Sequence, residues 1–569
     1  MTDRFEIAAD LRAIASLLKI KGANPFKAQA YERGAAALEN FEGDLDRVVK
    51  EHRLRGIAGI GSGLSAVIEE IHTTGECRIL QQLRDEMPIG AAELSEIPGL
   101  TLKKIIALNE TLHIESIAEL KSACEEGLVS KVKGFGVKSQ AKLLSDIEKL
   151  EKPRHGFLLL NAALAEAERI LAHLRVCPEL IQAEPAGALR RRKETISRIC
   201  IVAASNQPKL VVERFLRYPA LARTEELEDG RCLGRLAGGI STELVIVQPE
   251  HFAATLHKRT GSRKHVAKLE EIASTKTIAE STGTRRKNKI SSVETETEIY
   301  RRLALPYIPP EMREDEGEIE AAKTGTLPTL LSLDDIRGMT HCHTLYSDGR
   351  NSIEEMARAA EAMGMAYLTI TDHSQSAYYA RGLRVDRVRA QWDEIARVQE
   401  SVKITLLKGT ESDILADGAL DYPDYLLGQF DIVIASIHAR HKMDSDQMTV
   451  RLLRAIKSPI FKIWGHPLGR LLQSRPPFSC RMEEVLDGLA ESKGAIEING
   501  DPRRLDLEPR WIRAARQRGI KFIVSTDAHS TGGMSHLPFG VAMARRGWVT
   551  REEVLNTLDS QSFTRAVHP

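Results

Sequence analysis

The stretch AYLTITDHS, residues 366–374, holds the pattern that organises the C-terminal part of this chain. An apolar, β-branched run ends on Asp372 and His373. Apolar runs of about four to eight residues bounded by turn signals read as buried strands. The same texture recurs at 404–409 (ITLLKG), 430–436 (FDIVIAS), 460–465 (IFKIWG), 494–500 (GAIEING) and 521–526 (KFIVST), with helical segments between. Strands alternating with helices predict a parallel α/β sheet, open or closed. Residues 335–569 are suited in length to a barrel, which typically takes about 250 residues.

Histidines and carboxylates collect where these runs end. His341 and His343 flank Cys342, and on an extended strand residues two apart face the same side. Asp348 follows in the next turn, and His373, Glu411, His438, His466, Asp527 and His529 each lie at the end of an apolar run or just beyond it. In a parallel barrel such ends share one rim, where active sites form. Residues 335–569 hold nine histidines, and six sit at these junctions; His441, His536 and His568 do not. Nine nitrogen and oxygen donors exceed the four that one tetrahedral zinc takes, so two or three divalent ions are expected. Imidazole with carboxylate suits manganese, zinc or iron. Clustered ions suit phosphoester hydrolysis, in which the nucleophile is an activated water and other charge stabilises the attacking and leaving oxygens. Arg470 and Arg475 are candidates to hold a phosphate through paired N–H groups. Asp372 and Glu497 are candidates to orient ligating imidazoles.

The 569 residues suffice for three or four domains, and 42% are hydrophobic. No apolar run reaches the roughly 20 residues of a membrane span, and the N-terminus lacks a signal-like stretch. Seven cysteines without a CxxC pair point away from a disulfide framework or zinc finger, and toward a reducing cytoplasm. The net charge of +1 argues against a uniformly basic clamp, although basic runs occur at 190–193, 258–264 and 285–289.

Residues 1–150 read as helical, with apolar residues at helical spacing in DLRAIASLLKI and GLSAVIEEIHTTG. Residues 155–255 are mixed, with strand candidates ISRICIVAA and STELVIVQ and helices between them. Within 270–335 the pattern weakens, and LPYIPPEMREDEGEIEAAKTGTLP reads as a connector with little core of its own. Gly59 and Gly61 precede one amphipathic helix; Gly134, Gly136 and Lys138 open another. Glycines there let backbone amides approach a phosphate at a helix N-terminus, so both turns are candidate phosphate contacts. A third candidate, Gly99-Leu100-Thr101, lacks the second glycine.

The segments HCHTLYSDG, TITDHS, those around His438 and His466, and STDAH resemble the motifs of the PHP phosphoesterase family. The resemblance implies a distorted α/β barrel with a trinuclear metal centre, all nine of whose ligand positions are filled here. GTESDILADGALDYPD, HPLGRLL and EINGDPRRLDL resemble one subgroup, the PHP domain attached to bacterial family X DNA polymerases. The two glycine turns resemble helix-hairpin-helix motifs, and residues 7–39 resemble the N-terminal domain of those polymerases. Similarity to that family therefore spans nearly the whole chain. It implies an all-α DNA-binding region over 1–150, an α+β palm and thumb over 151–325, and a PHP domain over 335–569.

GALRRRKETISRICIV resembles the palm motif of the family, and Gly187, Arg190 and Arg191 match its nucleotide-binding positions. Ala188 replaces its serine, and Arg198 and Cys200 stand at its two catalytic aspartates; Glu243 fills the third carboxylate position. TGSRKH at 260–265 resembles a nucleotide-facing segment, with Val266 replacing an asparagine. Nucleotidyl transfer needs carboxylates to hold two metal ions. A permanent guanidinium and a thiol do not replace them. The expected activity is therefore metal-dependent 3′–5′ exonuclease or phosphoesterase action on gapped or broken DNA at 3′ ends, with the polymerase site silent. The alternatives are a gap-filling polymerase with proofreading, a non-catalytic DNA-end scaffold, and a small-molecule phosphatase.

Overall fold

The computed structural model describes residues 7–569 apart from positions 9, 12, 13, 16, 17, 19–24, 40, 42–44, 75, 76, 86–93, 95–99, 101, 115, 116, 152–155, 228, 229, 237, 238, 281–292, 378 and 379. The third glycine turn (99–101) and the basic run at 285–289 thus lie wholly or partly outside the described residues. The chain forms two compact units. One comprises Met1–Leu158, Ala163–Ala186 and Ile196–Leu256; the other comprises Leu159–Ala162, Gly187–Thr195 and His257–Pro569.

The first unit begins with two small helical cores, one around Leu11, Leu38, Leu54 and Ile68, the other around Ile105, Leu108, Leu120 and Val129. Each contains the same turn. A short 3₁₀ segment, Leu54–Gly56 or Val129–Lys131, leads through a glycine into helix Ser62–Thr74 or Val137–Glu151. Ile60 N donates to Ile57 O at 3.1 Å, and Phe135 N to Val132 O at 3.0 Å. Gly59 and Gly134 hold φ of 96° and 93°, a region that costs an L-residue roughly 1–2 kcal/mol.

A five-stranded sheet follows: β1 (Gln182–Ala186), β2 (Arg198–Ala204), β3 (Leu221–Leu227), β4 (Arg231–Leu236) and β5 (Ser241–Val247), in the order β1-β2-β5-β4-β3. β2 and β5 are the two expected strands and pair in parallel. The other three escape the sequence pattern. The hairpin β3–β4 is rich in arginine and glutamate, and β1 alternates exposed and half-buried residues before Ala186.

In the second unit the supposed connector is a packed structure. Helices Glu296–Arg302 and Glu318–Thr324 bury Ile299, Tyr300 and Ile319, and Ile308 and Met312 are buried between them. Arg313 is fully buried; its Nη1 donates to Glu296 at 2.6 Å and its Nε to Ile308 O at 2.8 Å. His265 and Glu318, both fully buried, meet at 2.6 Å. The segment reads as polar because its core is built on paired charges, which apolar periodicity does not register.

Residues 338–525 supply seven parallel strands: β6 (Gly338–Cys342), β7 (Tyr367–Ile370), β8 (Thr405–Asp413), β9 (Ile432–Ser436), β10 (Ile463–Trp464), β11 (Ala495–Asn499) and β12 (Lys521–Ser525). Each strand pairs with its predecessor in the chain. The sheet nearly closes into a barrel: His343 N donates to Ala528 O at 2.8 Å, and Ala528 N to His341 O at 3.0 Å. Every apolar run expected to be a strand is one. Among the described residues no helix is long and apolar enough to cross a membrane.

Candidate metal centre

All nine candidate ligands converge at the C-terminal rim of the barrel. They form four overlapping groups, each with donor atoms within 4.8 Å of one another: His343, Asp348, His373 and His529; His341, His343 and Asp527; His341, Glu411 and His466; His373, Glu411 and His438. Glu411 is central. Its Oε1 lies 2.7 Å from His466, 3.2 Å from His438 and 3.4 Å from His341, and its Oε2 lies 2.9 Å from His373 and 3.6 Å from His343. Asp527 Oδ1 lies 3.2 Å from His343 and 3.6 Å from His341. Glu411 belongs to two of the groups and Asp527 to one.

The geometry departs from a simple extended strand. His341, His466 and Asp527 hold positive φ, at 59°, 22° and 51°. The register of β6 against β7 shifts between Met339 and Cys342. Such backbone costs about 1–3 kcal/mol per residue and persists where the surroundings over-determine it. Here the barrel closure and the buried carboxylates hold it. The turn after β6 is braced by Asp372, which accepts Thr344 N at 2.7 Å, Thr344 Oγ1 at 2.6 Å and Gln391 Nε2 at 2.6 Å. Asp372 therefore holds the loop between His343 and Asp348, rather than an imidazole. Glu497 does orient one: it accepts His341 Nδ1 and Ser525 Oγ, each at 2.5 Å, and also the His466 backbone N–H.

Two residues enter that sequence reading did not single out. Asp413, at the end of β8, pairs with His438 Nδ1 at 2.8 Å, which directs Nε2 toward Glu411. Arg504 places Nε 3.0 Å from Asp527 Oδ2, and its Nη1 is buried without a hydrogen-bond partner. Arg504 lies in the run EINGDPRRLDL, but nothing in its spacing separates it from Arg503. Arg470 and Arg475 point elsewhere. Arg470 is buried, donating to Arg504 O at 2.9 Å and to Leu505 O, with Glu508 at 3.2 Å, so it braces the loop that carries Arg504. Arg475 Nε donates to Gly469 O at 2.8 Å.

The electrostatics are those of a cation site. Burial alone would raise the carboxyl of Asp527, yet His341 and Arg504 hold it well below the usual range. Glu411, likewise opposed by burial, is held well below by His438, His341 and His373. Burial pushes His343 down to about 4, keeping its imidazole neutral as ligation requires. The residues fit divalent ions by a second criterion: His341 Nε2, His343 Nε2 and His466 Nδ1 are buried with no hydrogen-bond partner. Buried polar atoms are rarely left so unless a ligand or ion meets them.

The remaining sequence candidates lie in other places. Gly59, Gly61, Gly134, Gly136 and Lys138 occupy the two helical turns; Gly61, Gly136 and Lys138 are exposed. Gly136 N is taken by Ser139 Oγ at 2.7 Å. Arg190 grips Glu296 through two bonds of 2.9 and 2.6 Å, and Arg191 donates to Glu314 at 2.8 Å and Thr260 O at 2.6 Å. Gly187, with φ of 65°, begins the turn that carries both. The register sets Cys200 beside Glu243 on β2 and β5. Two arginines reach Glu243: Arg198 Nη1 at 3.3 Å from Oε2, and Arg231 Nε at 2.6 Å from Oε1.

Comparison with known proteins agrees with this architecture. A helix-hairpin-helix domain matches residues 3–77, a DNA polymerase beta thumb residues 255–314, and a PHP domain residues 340–500. The chain is 35% identical to the DNA polymerase/3′-5′ exonuclease PolX of Bacillus subtilis (strain 168), over 96% of each chain. It is also 29% identical to a probable phosphatase of Thermoanaerobacter sp. (strain X514), over 38% of this chain and 89% of that one. A probable phosphatase of Caldanaerobacter subterraneus is 30% identical over 38% of this chain and 86% of its own length. On the strength of this near full-length similarity and the three matched domains, the chain belongs to the family X DNA polymerases that carry a C-terminal PHP domain.

Proposed function

We propose that this chain is a DNA end-processing enzyme whose PHP domain hydrolyses phosphoesters at 3′ ends of gapped or broken duplexes. The observation that carries the reading is the convergence of nine histidines and carboxylates in four overlapping groups at one barrel rim. The relative named as a 3′-5′ exonuclease supports the substrate class. His341, His343, Asp348, His373, Glu411, His438, His466, Asp527 and His529 are the residues that would hold two or three divalent ions, of manganese, zinc or iron. Such ions, when bound, supply Lewis acidity toward a phosphoryl oxygen and an activated water. The protein's own part is preorganisation. Glu497 and Asp413 fix the imidazoles of His341 and His438, Glu411 and Asp527 supply permanent negative charge, and Arg504 sets the orientation of Asp527.

The polymerase module is read as catalytically silent. Active transfer needs a set of carboxylates facing metal ions. Here Arg198 and Cys200 replace two of the three, and the third, Glu243, is engaged by Arg198 and Arg231. The helical region 1–150, the palm and thumb over 151–325 and the PHP domain over 335–569 then divide the work into gripping, holding and cutting. Glycine turns 59–61 and 134–136, with Lys138, are read as contacts to the DNA backbone. Seven free cysteines accord with a reducing cytoplasm. The name of the first relative favours a second reading, a gap-filling polymerase.

The test uses gapped duplexes labelled at either the 3′ or the 5′ end, with manganese, with and without nucleotides. Shortening from the 3′ end without extension supports the reading. Extension by added nucleotides overturns the silent palm, and no change in either lane overturns the nuclease.

A further inference from the structure

Arg504 is a permanent cation set against a centre built to receive cations. Its Nε lies 3.0 Å from Asp527 Oδ2, while Oδ1 of the same carboxylate lies 3.6 Å from His341 and 3.2 Å from His343. Asp527 thus divides its two oxygens between the guanidinium and the ligand groups. Burial would lower the pKa of Arg504, but the charges of Asp527 and Glu411 outweigh it and hold the guanidinium protonated. Burial and the charge of Arg504 together lower the imidazole pKa of His466. The backbone at Arg504 is fixed: its N–H donates to Asp501 O at 2.8 Å, and its carbonyl accepts Arg470 Nε at 2.9 Å. Orienting Asp527 takes only Nε. Nη1 is buried and has no hydrogen-bond partner among the described residues, a condition it shares with His341 Nε2, His343 Nε2 and His466 Nδ1. The side chain as a whole is 15% exposed, so it is not sealed from solvent. The neighbouring arginines differ. Arg503 is exposed and pairs with Asp501, and Arg470 and Arg475 commit donors to backbone carbonyls.

We propose that Arg504 is a substrate-contacting residue of the phosphoesterase centre, whose Nη1 edge holds a non-bridging oxygen of the scissile phosphodiester. This deepens the nuclease reading and rests on it. The unmatched imidazole nitrogens call for cations, and by the same criterion the unmatched guanidinium edge calls for an anion. A guanidinium has no lone pair to offer a metal ion and repels one placed beside it. It does match phosphate, with a planar fork of donors that can serve two acceptors at once. Here the two acceptors are Asp527 on one edge and the phosphate on the other. In hydrolysis the oxygen of water bonds to phosphorus and the P–O3′ bond breaks. One proton of the water ends on the 3′ oxygen of the shortened strand, and the released nucleotide keeps a 5′-phosphate. Negative charge on the non-bridging oxygens grows as water adds, so a fixed donor there favours the transition state over the bound strand. The contact outlasts the bond cleavage, because the product still carries those oxygens. Inorganic phosphate therefore probes the same edge.

The experiment compares the full chain with Arg504→Lys, Arg504→Met and the neighbouring control Arg503→Lys. Each protein is dialysed against chelator and reloaded with manganese, and its metal content and manganese midpoint are measured by calorimetry. Inorganic phosphate is then titrated into the loaded proteins. Lysine keeps an N–H for Asp527 but lacks the second arm of the fork, so it rescues an orienting role and not a phosphate contact. Arg504→Lys should keep the parent's metal content, with a midpoint within about threefold, yet bind phosphate at least about tenfold more weakly. Its kcat on a 3′-labelled duplex should fall by about 100-fold. Arg504→Met should bind phosphate no better than Arg504→Lys, and Arg503→Lys should match the parent throughout. Parental phosphate affinity in Arg504→Lys overturns the contact. So does a loss of phosphate binding that only follows an equal loss of manganese, which would confine Arg504 to orienting Asp527. A tighter manganese midpoint with unchanged phosphate affinity would make Arg504 a competitor of the ions, and also overturns it. Failure of the parent itself to release nucleotide from the duplex overturns the nuclease reading instead, a result visible without any variant.

Discussion

Glu497→Gln changes one buried atom and tests the whole logic of the rim. Glu497 is fully buried, and both its oxygens accept: Oε1 from His341 Nδ1 and Ser525 Oγ, Oε2 from the His466 N–H and, at 3.3 Å, from Asn499 Nδ2. An amide keeps only one acceptor. Whichever way it turns, its NH₂ faces donors, and a backbone N–H or an imidazole N–H loses its partner. A stranded buried donor costs about 1–3 kcal/mol, so the variant should lose about 2–4 kcal/mol of stability. For a domain of this size that is a Tm lower by roughly 5–15 °C. The imidazole of His341 also loses the anion that fixes its tautomer. Partners of this kind are typically worth about 10–100-fold in metal affinity or activity. The assay is release of label from a 3′-labelled duplex as manganese is titrated into protein dialysed against chelator, with melting followed in parallel. The expected result is a manganese midpoint shifted upward by one to two orders of magnitude (about 10–100-fold). A variant with the parent's midpoint and the parent's rate would refute the claim that Glu497 orients His341 for metal.

Three further outcomes follow from the same geometry. Asp527→Asn should abolish 3′ hydrolysis while duplex binding by the full chain stays within about twofold; full hydrolysis in excess manganese would remove Asp527 from the ligand set. Arg198→Asp/Cys200→Asp places two carboxylates beside Glu243; if the palm is silent as proposed, the variant should gain measurable magnesium-dependent extension that the parent lacks, and an unchanged blank would mean that these two positions alone do not decide polymerase activity. Stability should also fall in acid through the buried thumb cluster. Burial and the charge of Arg313 push His257 down to about 3, below its usual 6.5. Burial would raise Glu296, but Arg190 and Arg313 outweigh it and bring its carboxyl to about 2. Both folded values are lowered, so the unfolded chain binds more protons. The His257 contribution is complete above pH 6.5 and is lost as pH falls toward about 3. Its slope approaches about 1.4 kcal/mol per pH unit, and His257→Gln should flatten the decline between pH 6.5 and 4.5 in urea titrations; an equal slope in the variant would show that His257 already titrates normally.

Much of this protein is readable along the chain, for a local reason. Six of the seven barrel strands are short apolar runs, and the candidate ligands sit within strands or in the turns after them, so strand period and residue type mark the site together. The glycine turns at 59–61 and 134–136 are equally local, because positive φ leaves a glycine in the sequence. What local pattern misses is set by partners far apart in the chain. Arg504 meets Asp527 and Arg470 does not, though both are arginines in loops after strands, and only barrel closure decides between them. The run 305–328 looks like a linker because its buried Arg313 and Glu318 pair with Glu296 and His265 from outside it, and periodicity cannot show such pairing. The meeting of Arg198 and Arg231 at Glu243 depends on the register of three strands. A single residue's slip would turn one of those side chains to the other face. Sequence alone therefore determined most of the barrel strands, two of the palm strands and the residue types that end the barrel runs, since these follow from neighbours in the chain. Tertiary structure decided which charges meet, since ion pairs and sheet register join residues that the chain itself keeps far apart.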